Sequence, residues 1–190
     1  MWQRLAGAHV VLEPLAPEHE EELAAAAAFS EVWEWVGYPG HEREAFSSWF
    51  AAALASAEEG VEAPFATTDA RSGTVIGSTR FLTLRPENLG LEIGWTWLTP
   101  GAWQTGANVE AKLLMMEHAF ERLGCARVEL KTDAHNVRSR RAMEALPARF
   151  EGIHRKHRLL PDGSWRDSAW YSVIDSEWPG VRANLERRLA

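Results

Sequence analysis

The hydrophobic positions of this chain change their spacing several times, and each change marks an element. His9-Val10-Val11-Leu12-Glu13-Pro14 predicts a short strand, stopped by a proline that has no N–H to give to a ladder. Pro17 and the run Glu18 to Glu22 open a helix, with proline preorganised in its first turn and carboxylates at the positive end of its dipole. Ala24 to Ala28 continue it. Trp33-Glu34-Trp35-Val36-Gly37-Tyr38-Pro39 reads as a broken or very short helix. A second helix starts near Glu42 and stops at Gly60.

The middle of the chain is β. Pro64 to Asp69, a turn at Ala70-Arg71-Ser72-Gly73, and Thr74 to Leu84 form a hairpin pattern. Leu89 to Leu98 is apolar on both parities, as a central strand is. Asn108 to Leu123 has Val109, Leu113, Met116, Phe120 and Leu123 at helical spacing, and Gly124 ends it. Arg127 to Lys131 alternates as a strand, and Asn136 to Leu146 is a further helix. Phe150 to Leu160 and Trp165 to Ile174 flank Pro161-Asp162-Gly163-Ser164, a hairpin turn. Pro179 to Leu189 closes the pattern as a helix whose face of Val181, Leu185 and Leu189 fits either its own core or a second subunit. The order gives an α/β fold with one strand–helix–strand crossover between Leu89 and Lys131.

Composition narrows the function classes. The 190 residues, with no linker-like stretch and no internal repeat, predict one domain spanning 1–190. The net charge of -7 argues against a direct nucleic-acid partner, whose binder would normally be basic. A single cysteine, Cys125, excludes an internal disulfide and a cysteine-rich zinc site. No apolar run approaches ~20 residues, so no membrane span is expected, and Met1 to Leu5 lacks a leader's apolar stretch. The expected compartment is the cytoplasm. His154 and His157, three apart on a strand, are expected on opposite faces, which would prevent a shared metal; no metal is expected. Ten tryptophans are unusual in a chain of this length and call for either packing or stacking roles. Trp165, Trp170 and Trp178 are expected to be packing residues.

The crossover carries the candidate chemistry. Its turn reads Leu98-Thr99-Pro100-Gly101-Ala102-Trp103-Gln104-Thr105-Gly106-Ala107-Asn108-Val109-Glu110-Ala111. Small residues let a ligand approach the backbone, and the first N–H groups of a helix point outward without partners, so the turn suits a phosphate. Alone, a glycine before a helix is more often an ordinary turn. The wider set of motifs adds the opening His9 to Leu15, Leu91-Glu92-Ile93-Gly94-Trp95, Asn136-Val137-Arg138-Ser139 and Phe150-Glu151-Gly152. It also adds Asp162-Gly163, Arg166-Asp167 and Tyr171-Ser172-Val173. In this order the motifs resemble the GNAT family of acetyl-CoA-dependent N-acetyltransferases, in particular its RimJ/RimL-like ribosomal-protein branch. The loop departs from the family's usual Gln/Arg-x-x-Gly-x-Gly/Ala: Trp103 and Asn108 hold its first and last places, and Gly106 alone matches.

The resemblance implies a GNAT fold: a mixed, mostly antiparallel twisted sheet with helices on both faces and an acetyl-CoA site in the strand–helix–strand unit. It implies that the backbone of Trp95, Trp97 and Leu98 meets the pantetheine arm. Trp103, Gln104, Thr105, Gly106, Ala107 and Asn108 would meet the pyrophosphate, and Asn136 and Ser139 the pantetheine and sulfur. The implied reaction is direct attack of a neutral amine on the thioester. Glu92 is the first candidate base, since burial in an apolar run raises a carboxylate's pKa, with His135 second. Ser139 is placed to protonate the thiolate, with Tyr171 as the alternative. Trp33, Trp35 and Tyr38 fall where an acceptor pocket is expected, and aromatics there can hold an ammonium. The acceptor is a protein N-terminal α-amine or a small amine, and the protein a monomer or homodimer. The competing readings are a non-catalytic CoA-binding module on the same fold and a tryptophan-based peptide or carbohydrate binder. Plainer roles compete at single residues: Glu92 as a structural strand carboxylate, and the aromatics as packing.

Overall fold

In the computed structural model, which describes residues 2–190, eight strands form one sheet. In chain order the strands and helices are β1 (Leu5–Ala6), β2 (Val10–Pro14), α1 (Glu20–Ala27), α2 (Ser30–Trp33), α3 (Arg43–Glu58), β3 (Ala63–Asp69), β4 (Val75–Arg85) and β5 (Gly90–Leu98). There follow α4 (Ala107–Glu117), β6 (Arg127–Asp133), α5 (Val137–Ala145), β7 (Arg149–Leu159), β8 (Trp165–Ile174) and α6 (Trp178–Leu189). The strands lie in the order β1-β2-β3-β4-β5-β6-β8-β7. Every neighbouring pair is antiparallel except β5 and β6, which the α4 crossover makes parallel. The expected α/β sheet, mixed and mostly antiparallel, is what forms.

Two hydrophobic cores cover the two faces. One holds Leu12, Phe81, Ile93, Val128 and Tyr171 under α4 and α6, through Met115, Met116, Val181 and Leu185. The other holds Leu23, Phe46, Trp49 and Phe50 of α1 and α3 over Ala66, Val75 and Trp97. Helices therefore lie on both faces. The apolar face of α6 packs on its own α4, with Leu185 fully buried, which settles one of the two placements expected for it.

Several details differ from the expectation. β1 is too short to leave a pattern and is recruited by pairing Leu5 with Leu12. The most buried side of α4 is Ala107, Ala111, Met115 and Met116 together with Glu110 and Lys112, while Leu123 of the expected stripe is exposed. The helix also loosens after Glu117 into a wider turn over His118–Arg122, closed by the Leu123 N–H donating to the His118 carbonyl at 3.0 Å. Third, His154 and His157 share a face. β7 carries a bulge between His154 and Arg158, with Lys156 left-handed at φ +49°, and both imidazoles pack on Trp170. Arg155, Lys156 and His157 lie opposite Asp167 alone, and the left-handed turn at Lys156 resets the alternation that placed them apart. Trp165, expected in packing, is 52% exposed; Trp178 is buried as expected.

Candidate active site

β5 and β6 are hydrogen-bonded only through Gly90–Arg127, Leu91–Val128 and Glu92–Glu129. Beyond Glu92 their edges have no partner in each other, so the two strands open into a cleft. The opening coincides with a bulge: β4 pairs Ser78 with Trp97 and Arg80 with Gly94, leaving Trp95 and Thr96 opposite Thr79 alone. Trp95 takes the left-handed φ of +48°, unusual for a bulky side chain. That places Trp95, Trp97 and Leu98 on one wall of the cleft. Trp97 itself points into the α3-side core, 5.3 Å from the Trp33 ring and 5.8 Å from Trp49, so its backbone alone is available.

The cleft leads to the turn before α4. Gln104 at φ +63° and Gly106 at φ +87° are both left-handed. Such alternation curls successive N–H groups into a concavity that attracts anions. The N–H groups of Gly106, Asn108 and Val109 find no acceptor among the described residues. The Ala107 N–H is 3.5 Å from the Thr105 hydroxyl. Gly106 is required by its dihedral rather than by crowding, since a Cβ there would meet only ordinary contacts at 3.5 Å. These residues suit the pyrophosphate of a CoA thioester: open donors at a helix N-terminus below a strand cleft.

Trp103 does not leave this loop without a cation. Its indole N–H donates to the Leu98 carbonyl at 2.9 Å, tying the loop back to β5. Its ring carries the guanidinium of Arg138, 4.1 Å from the centroid. Arg138 opens α5, and the sequence reading passed over it. The signal was present as a basic residue in the motif Asn136-Val137-Arg138-Ser139, but its partner lies 35 positions away in sequence. Asn136 is buried and caps α5, its Oδ1 accepting from the Ser139 N–H at 2.9 Å. Ser139 is half-buried in the first turn above it.

On the α3 side of the opening sits Glu92, 1% exposed. Its Oε2 accepts from Lys131 Nζ at 2.7 Å and from the Thr83 hydroxyl at 3.4 Å. Burial pushes its pKa up, and the Lys131 ammonium pulls against that shift. His135 is exposed and bonded to Asp133 rather than turned to the cleft. The Tyr171 hydroxyl is held between Arg140 Nε at 3.0 Å and Glu144 at 3.1 Å on α5, a satisfied core phenol.

The three aromatics expected at an acceptor pocket divide. Trp33 is 3% exposed, donates its indole N–H to the Ala27 carbonyl at 2.8 Å and forms an aromatic cluster with Trp49 and Trp97. It supports a wall rather than lining one. Trp35 and Tyr38 are half-buried, and the Tyr38 hydroxyl donates to the Ala45 carbonyl at 2.9 Å.

On the other face, Lys112 of α4 is 6% exposed. Its Nζ donates to Thr96 Oγ1 at 2.7 Å, and Thr96 meets Thr79 at 2.7 Å. No carboxylate lies within ion-pair reach among the described residues, and burial lowers its pKa to about 7. Lys112 therefore braces the bulge that opens the cleft. Beside it Glu110 turns the other way, accepting the N–H groups of Ala8, His9 and Val10 at 2.9, 2.6 and 2.7 Å.

Residues 9–149 match the family model described as an acetyltransferase (GNAT) domain, about three quarters of the chain. The chain belongs to the GNAT acetyltransferase family. Among solved structures this GNAT chain resembles a GCN5-related N-acetyltransferase from Brucella melitensis at a TM-score of 0.90 and 34% identity, over 98% of this chain and 85% of that one. An acetyltransferase candidate from T. thermophilus is 40% identical at a TM-score of 0.84, with both chains covered completely. Mycobacterium smegmatis RimJ, solved in complex with CoA-disulfide, shares 20% identity at a TM-score of 0.77 over 97% of this chain and 91% of its own, a likeness of fold. Among curated sequences, the uncharacterized N-acetyltransferase YnaD of Bacillus subtilis (strain 168) is 30% identical over 88 residues, 46% of this chain. That match spans half of the relative's length. Among the described residues, no helix is long and apolar enough to cross a membrane.

Proposed function

We propose that this GNAT protein transfers the acetyl group of acetyl-CoA to a primary amine by direct attack. The observation that carries this is the opening of β5 from β6 immediately ahead of the unpartnered N–H groups at Gly106, Asn108 and Val109. Acetyl-CoA brings an activated thioester. The chain's part is to hold it: Gln104 to Asn108 and the Arg138 guanidinium take the phosphates, the freed edge of Trp95 to Leu98 takes the pantetheine amides, and Asn136 fixes the α5 turn that presents Ser139.

The acceptor must arrive neutral. A protein α-amine has a pKa of ~7.7–8.0, so roughly a tenth or more is neutral at pH 7, whereas a lysine amine at ~10.4 is almost wholly charged. A weak, water-relayed base suffices for the former. Glu92 is that base: ionised beside Lys131, with a proton affinity raised by burial. The new N–C bond forms as the C–S bond breaks. The amine's proton passes through water to Glu92, a backbone N–H of Trp95 to Trp97 meets the developing oxyanion, and the Ser139 hydroxyl donates a hydrogen bond to the departing thiolate, which takes its proton from solvent water. Trp35 and Tyr38 border the acceptor, with Trp33 behind them. A protein N-terminal α-amine is the acceptor this chemistry favours, in line with the RimJ likeness of fold; a small amine is the alternative.

Calorimetric titration with acetyl-CoA, followed by an amine panel, tests the proposal. Micromolar binding, about -8 kcal/mol, with CoA release on adding an α-amine is the expected result. Binding without turnover on any amine would favour the non-catalytic module, a reading that the sealed position of Glu92 keeps open. No binding at millimolar ligand would overturn both.

A further inference from the structure

The protein is acidic overall, yet the α3 side of the cleft gathers cations. Arg158 and Arg166 are direct cross-strand partners on β7 and β8. Like charges placed opposite one another on a sheet repel unless an anion lies between them. Neither is closely paired: Arg158 has no ion pair among the described residues, and Arg166 only a long one. Arg166 has a side chain only 10% exposed, its Nε has no hydrogen-bond partner, and its nearest carboxylate, Asp133, is 4.0 Å away. The Oδ1 of Asp133 accepts from the His135 N–H at 2.8 Å. Arg158 makes no ion pair among the described residues; its guanidinium lies 5.4 Å from the ring of Trp95, the bulge residue at the mouth of the cleft. Lys131 stands nearby, already spent on Glu92. His157, bonded to Ser168 at 3.0 Å, has its pKa lowered first by burial and then by the charges of Lys131, Arg166 and Arg158.

A buried guanidinium with an open donor is unfavourable until that donor finds a partner. The guanidinium forks of Arg158 and Arg166, on paired positions of β7 and β8, match a carboxylate's paired oxygens. We propose that Arg158 and Arg166 form a carboxylate subsite of the acceptor pocket, so that the preferred acceptor is an amine that itself carries a carboxylate. This rests on the transferase reading above. The stack of Arg158 on Trp95 links the subsite to the strand that would hold the thioester, so the bound carboxylate would orient the amine.

The test compares Ala-Glu, Ala-Gln and Ala-Lys dipeptide amides, which share one α-amine and differ in side-chain charge. Expected is a kcat/KM for Ala-Glu amide about tenfold above Ala-Gln amide, with Ala-Lys amide lowest. The Glu/Gln ratio should fall towards one in Arg158→Gln. Arg166→Lys keeps the buried charge but loses the fork, and should reduce the ratio partly. A flat series or a preference for Ala-Lys amide in the unaltered protein overturns the proposal. Succinate, a dicarboxylate with no amine, gives a readout independent of turnover. If no peptide is acetylated, the transferase reading fails, while succinate binding that weakens about tenfold in Arg158→Gln still upholds the subsite. Succinate binding that is absent or indifferent to Arg158→Gln overturns it.

Discussion

Arg138 lies over Trp103 with its guanidinium 4.1 Å from the ring centroid, which brings a charge from the start of α5 onto the loop before α4. A loop whose own first position is an indole thereby has a cation at its rim. Arg138→Ala is expected to weaken acetyl-CoA binding about tenfold, ~1.4 kcal/mol, and to flatten its dependence on salt. Pantetheine, which lacks the phosphates, should bind both proteins alike. Arg138→Lys should fall between them, since an ammonium keeps charge without the planar stack. Equal losses for pantetheine and acetyl-CoA would make the stack structural.

Lys112 predicts an unusual pH dependence of stability. Its folded-state pKa of about 7 lies below the unfolded value near 10.5. Between those two pH values the unfolded chain binds the extra proton, so stability rises as pH increases through that window. Lys112→Met should remove this slope and raise stability at pH 7 by a few kcal/mol on the order-of-magnitude scale of one pKa unit per ~1.4 kcal/mol. Urea unfolding at pH 7 and pH 9.5 measures it. Parallel curves for the two proteins would show that Lys112 is charged in the fold.

Glu92 and Lys131 separate a base from a brace. A carboxylate accepts a proton only above its own pKa, so turnover should rise with pH through the raised value of Glu92. Glu92→Gln should lose that limb and on the order of a hundredfold in kcat. Lys131→Met removes the charge that opposes the shift, so the limb should move to higher pH. Activity unchanged across pH 6–9 in Glu92→Gln would dismiss the base.

Glu110 holds three backbone N–H groups at Ala8, His9 and Val10. Replacement by Ala leaves these donors without a partner and should cost about 2–3 kcal/mol, seen as a lowered Tm. Gly7→Ala should act on the same clasp, because a Cβ at Gly7 would sit 2.3 Å from the Glu110 carboxyl carbon. The double variant should lose less than the sum of the two.

The layout of the fold was legible because most elements declare themselves locally. Val109 and its successors gave α4, Pro161-Asp162-Gly163 gave the β7–β8 turn, and the two-sided apolar run of β5 gave its central place. What escaped the sequence depends on partners far away. The wrong placement of His154 against His157 came from assuming unbroken alternation, and one left-handed residue, Lys156, breaks it. Glu110 and Lys112 stand off the apolar stripe of their helix, yet one meets the β1–β2 turn and the other the β5 bulge. Trp33 looked like a ligand aromatic because aromatic residues carry no mark of which side they face. Arg138 was quoted within a motif, but its use appears only when Trp103 is folded beneath it.

Gly106 has for neighbours the His9 ring and the Leu189 side chain, each 3.5 Å from where its Cβ would be. The turn before α4 is thus packed from three stretches of sequence, near residues 9, 106 and 189. A chain leaving the ribosome presents the first two long before the third, so the turn gains its full packing only when α6 has emerged and docked. On the cofactor role proposed above, a CoA thioester would stabilise the chain by mass action only once α6 is in place, and would have little to grip before then.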